Sequence, residues 1–156
     1  NMRGKRAPKR KIEADQKFNS IPVAKFINYI MHGGKKSVAR SIVYDAFDYI
    51  SEKTKQDGLT VFNQAIKNVQ PSVEVKGKRI GGANYQVPQV VSGTRKQVLA
   101  YRWLIEAARS RKGKAMSIRL AEEIMAAANN EGDALKKRGN VHKMAESNKA
   151  FAHFSR

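Results

Sequence analysis

The sequence predicts a mainly α-helical fold: one six-helix domain, a two-stranded β-hairpin between the third and fourth helices, and a basic N-terminal arm. Three observations support this prediction. Apolar residues recur at helical spacing in six segments, one glycine-punctuated stretch is rich in strand formers, and basic residues crowd the N-terminus. The length of 156 residues and the 41% hydrophobic content suit one domain with a hydrophobic core.

The N-terminal arm is assigned to residues 1–19, which combine a basic run with Pro8 and few large apolar side chains. This composition is typical of a flexible segment. A solubility tail is one interpretation, but basic arms commonly follow phosphate groups and fold on contact. The bases before the first acid are Arg3, Lys5, Arg6, Lys9, Arg10 and Lys11. Residues 20–156 are assigned to the helical domain.

Three helices are predicted before the hairpin. The first begins after Ser20, a favoured N-cap residue, and ends at Gly33-Gly34, because glycine readily takes a left-handed conformation. The second runs from about Lys36 to Thr54. The third follows the turn signal Asp57-Gly58 and ends at Pro71. Their apolar faces comprise Val23, Phe26, Ile27, Ile30, Ala39, Val43, Ala46, Ile50, Val61, Phe62, Ala65, Ile66 and Val69.

The β-hairpin is assigned to about residues 72–91, with arms at 72–80 and 84–91 around Gly81-Gly82. Pro88 cannot donate a ladder hydrogen bond, which favours an exposed edge strand. Tyr85 suits either stacking on a base or packing against the domain. Because an isolated hairpin is marginally stable in water, we expect this one to gain order on docking.

Three more helices follow the hairpin. Thr94 is the expected N-cap of the fourth, whose inward face comprises Val98, Tyr101, Ile105 and Ala108. Gly113 separates it from a fifth helix with a predicted apolar stripe of Ile118, Ala121, Ile124, Met125 and Ala128. The sixth begins near Asp133 and continues past Met144, and Gly139-Asn140 leaves its continuity open.

Charge is concentrated in two segments of the chain, whose formal net charge is +18. Residues 1–36 hold ten bases and two acids, and residues 75–119 hold eleven bases and one acid, Glu106. Such sorting indicates a polyanionic partner. Membrane lipid is a weaker interpretation because the chain shows no apolar anchor, spanning segment or secretory signal. We therefore expect a soluble, unexported protein.

Enzymatic chemistry finds little support in the residues. The chain has no cysteine. The "GGKKS" segment at residues 33–37 does not match a phosphate-binding loop, because Lys36 stands where a Ser or Thr is required and Tyr29 stands where the first glycine is required. The three histidines of the chain are not spaced along the sequence as the ligands of a metal ion are. The carboxylates of Asp45, Asp48 and Glu52 share a helix face, which is usually a solvated face. We expect no catalytic residue, no metal and no cofactor.

The fourth helix has the strongest nucleic-acid signal. Arg95, Arg102 and Arg109 recur every seven residues, opposite the apolar stripe and roughly 10 Å apart. Helices normally interleave acids among such bases, and this one offers only Glu106. The cations continue through the following turn at Arg111, Lys112, Lys114 and Arg119, and the hairpin adds Lys76, Lys78 and Arg79.

Several segments in order resemble the small-subunit ribosomal protein seven family in its bacterial form. They are "KFNSIPVAKFINYIMHGGKKSVARSIVYDAF", "RIGGANYQVP", "RKQVLAYRWLIEAAR", "RLAEEIMAAAN" and "KKRGNVHKMAESNKAFAHF". The resemblance covers nearly the whole chain. It implies six helices with a hairpin between the third and fourth, and a structural component of the small ribosomal subunit.

The resemblance also implies a detailed role. The protein would bind small-subunit ribosomal RNA first, nucleate assembly of the head (the 3′ major domain), and lie at the subunit interface near exit-site tRNA and mRNA. Neighbours would be small-subunit proteins of the ninth and eleventh families, and no homo-oligomer is expected. The location would be the cytoplasmic small subunit, with an organellar ribosome left open.

Carried onto this sequence, the resemblance assigns two sets of residues. The ribosomal RNA contacts would be Arg3, Lys5, Arg6, Lys9, Arg10, Lys11, Lys35, Lys36, Lys76, Arg95, Lys96, Arg102, Arg109, Arg111, Lys112, Lys114 and Arg119. The hairpin element near exit-site tRNA and mRNA would be Lys78, Arg79, Gly81, Gly82, Asn84 and Tyr85.

A DNA-architectural protein is the alternative, because basic β-ribbon arms also bend duplexes. Such proteins are typically dimers with two β-ribbon arms, and a six-helix domain with a single ribbon does not match that arrangement well. An RNA-processing enzyme lacks a catalytic constellation.

Overall fold

A computed structural model describes residues 4–155 of the chain. Within them, six α-helices surround one core, a two-stranded antiparallel hairpin lies between the third and fourth helices, and a 3-10 helix follows the sixth. The elements are α1 (Ile21–Ile30), α2 (Lys36–Thr54), α3 (Gly58–Val69), β1 (Val73–Ile80), β2 (Ala83–Val90), α4 (Gly93–Ser110), α5 (Met116–Ala128), α6 (Asp133–Ser147) and the C-terminal 3-10 helix (Lys149–Ser155). The predicted fold class is confirmed.

Local end signals set most helix boundaries as predicted. The Ser20 hydroxyl accepts the Val23 amide hydrogen at 3.4 Å and caps α1. Helix α1 ends at Ile30 with Met31 as its C-cap, so Gly33 and Gly34, which were predicted to end it, lie in the following loop with φ angles of 61° and 74°. The sixth helix continues without a break through Gly139.

The start of α4 differs from the prediction, which placed the N-cap at Thr94. The Lys96 amide donates to the Ser92 carbonyl at 2.9 Å, so the first helical turn closes two residues earlier. Ser92 is the N-cap, and its side chain makes no capping hydrogen bond. On the inward face of α4, Tyr101, Ile105 and Ala108 are buried as predicted, and Val98 is half-buried.

Aromatic rings from four helices meet in the core. Phe62 of α3 lies 4.9 Å from Phe26 of α1 and 5.3 Å from Phe47 of α2, measured between ring centroids. Tyr101 of α4 packs 5.8 Å from Phe26 and is fully buried. Its burial raises the pKa of the phenol to about 12, so the hydroxyl stays neutral at any physiological pH.

The predicted apolar stripe of α5 is rotated in the structure. Leu120, Ala121, Ile124 and Ala127 are fully buried, whereas Ile118, Met125 and Ala128 are only half-buried. The reason is that α2, α3 and α4 all pack against α5, so its buried arc is wider than one stripe. The carboxylate of Glu123 is also fully buried.

The hairpin register runs from Val73 opposite Val90 to Ile80 opposite Ala83. Gly81 and Gly82 form the two-residue turn with φ angles of 57° and 83°, the positive values that a type I′ turn requires. At the other end, the Ser72 amide donates to Nε2 of His142 on α6 at 3.3 Å. Burial, together with the charge of Arg138, lowers the pKa of His142, which favours the neutral, accepting ring.

The C-terminal 3-10 helix supports the hairpin along its β2 strand. The Tyr85 ring lies 5.1 Å from the ring of Phe151 and 5.4 Å from that of Phe154. The Lys78 ammonium donates to the carbonyl of Phe154. Of the two interpretations of Tyr85, the structure shows packing against the domain. The hairpin therefore has support within the chain itself, in addition to any order that it gains on docking as predicted.

Residues 4–14 of the N-terminal arm form no helix or strand. The buried Asp15 carboxylate accepts hydrogen bonds from the amides of Lys17 and Phe18, at 3.1 and 3.0 Å, and from the Tyr44 hydroxyl at 2.7 Å. Burial and this bond to Asp15 raise the pKa of Tyr44. These contacts put residues 15–19, the last part of the predicted arm, on the body. None of the described helices is long and apolar enough to cross a lipid bilayer.

Candidate nucleic-acid interface

The arm and the start of α2 share one groove of about 320 Å³. Arg10 and Lys11 line it from the arm, and Lys36 and Arg40 line it from α2. Arg40 was missed by the sequence analysis, although it follows Lys36 by four residues and therefore lies on the same helix face. Two predicted segments, the arm and the α1–α2 loop, are thus brought together.

The α1–α2 loop presents Lys35 and Lys36 to solvent. Lys35 is the N-cap of α2 and makes no side-chain capping bond. The Lys36 amide donates to the Gly34 carbonyl at 2.9 Å, and the two exposed lysines lie at the positive end of the helix dipole, an arrangement that suits a phosphate group. Gly33 and Gly34 have open space where a Cβ would lie, so a polymer backbone can approach the loop closely.

Two arginines of α4 lie against the end of α1. The guanidinium carbon of Arg102 is 5.8 Å from the centroid of the Tyr29 ring. Arg109 donates to the carbonyl of Ile30 at 3.3 Å, and Ile30 also lines a groove with Lys35. These contacts make α4 and the α1–α2 loop neighbours. Tyr29 was not predicted as a site residue, since its sequence position indicates only the end of a helix.

Two further candidates share one carboxylate near the hairpin base. Glu74 of β1 pairs with Arg95 at 3.3 Å and with Lys76 at 3.4 Å, and its side chain is 12% exposed. Lys76 is exposed, and Arg95 and Lys96 are half-buried. Part of this positive charge is therefore neutralised within the chain.

The α4–α5 turn is held together by its own ion pairs. Arg111 donates to the buried Glu123 carboxylate at 2.9 and 3.0 Å and to Glu122 at 3.4 Å. Lys114 pairs with Glu122, and the hydrogen bond to this carboxylate raises the pKa of the lysine. Arg111 and Lys114, predicted as RNA contacts, thus have acidic partners that the sequence analysis did not pair with them.

Arg119 has a structural role at the same turn. Its guanidinium donates to the carbonyls of Arg111 at 2.7 Å and Arg109 at 3.3 Å, which satisfies carbonyls at the end of α4. Lys112 is exposed between these residues and has no ion pair within the described part of the chain.

The hairpin tip and the arm complete the predicted set. Arg79, Asn84 and the two turn glycines are exposed, and a Cβ on either glycine would meet no atom within 4 Å. Lys5, Arg6 and Lys9 are exposed along the arm. Arg3 lies outside the described residues. No group of three or more histidines, cysteines or acids suited to a metal ion occurs in residues 4–155.

The fold and these surfaces define a class: a basic, mainly helical protein with one β-hairpin and cations gathered from several elements. Residues 2–149 match the family model described as "Ribosomal protein S7p/S5e". The chain belongs to this family. It is therefore a structural, non-enzymatic constituent of the small ribosomal subunit, which is a cytoplasmic particle in bacteria.

Curated relatives agree with this assignment over nearly the whole chain. The chain is 56% identical to "Small ribosomal subunit protein uS7" of Nitrobacter winogradskyi over 148 residues, 95% of each protein. Identity to the protein of that name from Mycoplasmopsis synoviae is 56% over 152 residues, 97% of each. For Thermotoga maritima it is 55% over 153 residues, 98% of this chain and 99% of the relative. The resemblance seen in the sequence is confirmed.

Proposed function

We propose that this chain is a primary binder of small-subunit ribosomal RNA that nucleates assembly of the head. The supporting observation is the adjacency of cationic elements that are far apart in sequence. Arg10 of the arm shares a groove with Lys36, and Ile30 beside Lys35 accepts a hydrogen bond from Arg109 of α4. One stretch of surface can therefore contact several phosphates of a folded RNA.

The proposed RNA contacts fall into two groups by their surroundings. Exposed cations with no ion pair to an acid within residues 4–155 keep their charge available for phosphate groups: Lys5, Arg6, Lys9, Arg10, Lys11, Lys35, Lys36, Arg102, Arg109 and Lys112. The other described candidates are half-buried or already bonded within the chain: Lys76, Arg95, Lys96, Arg111, Lys114 and Arg119. We assign the larger share of RNA affinity to the first group, since charges with internal partners contribute less to a new contact.

The hairpin tip is proposed to lie near exit-site tRNA and mRNA. Lys78, Arg79, Asn84 and the turn glycines provide an exposed cationic loop, and the packing of Tyr85 on the C-terminal 3-10 helix fixes its direction. Small-subunit proteins of the ninth and eleventh families are the proposed protein neighbours. The division into an arm of residues 1–19 and a domain of residues 20–156 is likewise proposed, with residues 15–19 of the arm packed on the domain.

Chemical probing of small-subunit RNA tests the RNA-binding role. We expect the purified chain to protect a defined junction of the head RNA at physiological salt. Equimolar duplex DNA should leave this protection intact, because the family to which the chain belongs is a constituent of the small ribosomal subunit. Absence of a protected junction, or its loss to duplex DNA, would overturn the proposal and favour an architectural DNA-binding role.

A further inference from the structure

A small cleft lies between α1 and α4, within the surface that carries Lys35, Arg102 and Arg109. It has a volume of about 210 Å³ and is lined by Tyr29, Arg102, Ile105, Glu106 and Arg109. The buried Ile105 gives it an apolar floor. Arg102, Glu106 and Arg109 are spaced by four and three residues along α4, so they lie on one face of that helix.

Arg102 and Tyr29 give the cleft a surface on which a base can stack. Arg102 holds its guanidinium over the ring of Tyr29, 5.8 Å from the centroid, and the half-buried Tyr29 packs in turn on Tyr101 at 5.7 Å. Nucleobases of single-stranded RNA stack on aromatic rings and on arginine planes. A base entering this cleft would therefore find an ordered platform.

Glu106 gives this cleft a negative charge, whereas the surrounding surface is positively charged. It is the single acid in residues 75–119, and it is exposed one helical turn from two arginines. Arg102 is engaged with Tyr29, and Arg109 with the Ile30 carbonyl. Glu106 has no salt bridge in residues 4–155. Two acceptor oxygens are thus available beside the stacking platform.

We propose that this cleft binds one unpaired guanine of the RNA, with the base stacked on the guanidinium of Arg102, which itself lies over the Tyr29 ring. The two Glu106 oxygens would accept the N1–H and N2–H hydrogens, while Arg109 donates to O6. This inference rests on the proposed RNA-binding function and adds a base-specific subsite to it.

Guanine fits the acceptor pair better than the other three bases do. Its Watson–Crick edge places two donors side by side, opposite the two oxygens of a carboxylate. Adenine and cytosine each offer one donor beside an acceptor nitrogen, which a carboxylate repels. Uracil offers one donor between two carbonyls. A phosphate contact alone would not discriminate among the four bases.

Binding of labelled uridine heptamers with one central variable base tests the subsite in the intact chain. We expect the guanosine heptamer to bind about fivefold more tightly than the adenosine heptamer, the difference that one or two hydrogen bonds provide. A central inosine, which lacks the N2 amino group, should lose most of this preference. Glu106→Gln should reverse it toward adenosine, because an amide offers one acceptor and one donor.

Glu131→Gln is the matched control, since it removes the same charge from an exposed residue outside the cleft. It should retain the guanosine preference. Equal affinities for all heptamers, or a preference that Glu106→Gln leaves unchanged, would overturn the subsite. Failure of the RNA-binding function would appear separately, as absence of the protected junction in small-subunit RNA.

Discussion

At the scale of single residues, Glu123 joins three helices through one buried carboxylate. One oxygen accepts two hydrogen bonds from Arg111, and the other accepts the Ala134 amide at 3.0 Å. The N-cap of α6 is Gly132, which has no side chain to cap the helix, so Glu123 supplies the acceptor from α5. A Cβ at Gly132 would lie 2.7 Å from this oxygen, which explains the glycine.

Replacing Glu123 tests this role. We expect Glu123→Ala to lower the free energy of unfolding by about 3 kcal/mol, because Arg111 loses its buried partner and α6 loses its cap. Urea denaturation at fixed salt measures the change. Glu146→Ala is the control: its ion pair with Lys149 spans 3.7 Å with both side chains 77% exposed, and the expected loss is below about 0.5 kcal/mol. Equal losses would contradict the role.

The sequence indicated the basic residues well and their acidic partners poorly. The pairs Glu74–Arg95 and Glu123–Arg111 join residues 21 and 12 positions apart across a change of element. No helical or strand periodicity links such positions. Only the folded structure therefore shows which basic residues form ion pairs with acids of the same chain. Tyr29 was missed as a member of the surface for the same reason, whereas Arg40 lies one helical turn after Lys36 and carried a local signal.

At the scale of elements, local signals predicted both ends of α2 and the hairpin turn, but not the N-cap of α4 or the C-cap of α1. Both ends of α2 and the Gly81-Gly82 turn agree with the prediction. For α5 the prediction was right for Ala121 and Ile124 and wrong for the other three stripe residues, because α2, α3 and α4 all pack against this helix. The support that the C-terminal 3-10 helix gives to Tyr85 was also not foreseen, since it joins residues nearly seventy positions apart.

Shortening the hairpin tests the proposed exit-site element. An Asn-Gly turn in place of residues 78–85 would close the ladder at the pair Gly77–Gln86 with the same turn class. We expect cooperative unfolding and protection of the RNA junction to persist, because the core lies in the helices. Crosslinking to exit-site tRNA in reconstituted subunits should fall severalfold.

Lys67→Ala combined with Lys136→Ala is the charge-matched control for this shortening. It removes two positive charges from exposed positions on α3 and α6, as the shortened hairpin does at Lys78 and Arg79. This control should retain the tRNA crosslink. An unchanged crosslink in the shortened protein would contradict the exit-site assignment, and loss of cooperative unfolding would show that the tip belongs to the core.

At the scale of the whole molecule, two basic segments that are far apart in the sequence lie next to each other in the structure. The two basic segments, residues 1–36 and 75–119, meet where the end of α1 contacts α4. The exposed acids Asp45, Asp48 and Glu52 lie along α2, and Asp48 pairs with Lys17 at 3.7 Å. The sequence predicted both basic segments, but it contained no signal that would place them side by side.

The salt dependence of binding to small-subunit RNA tests this joined cationic surface most directly. We compare the unaltered chain, the pair Arg102→Ala with Arg109→Ala, and the charge-matched pair Lys67→Ala with Lys136→Ala. The slope of log K against log salt should become shallower by about 0.7 to 0.9 per lost phosphate contact. We predict this change for the arginine pair and an unchanged slope for the lysine pair. Equal slopes for the two variants would contradict a localised RNA-binding surface.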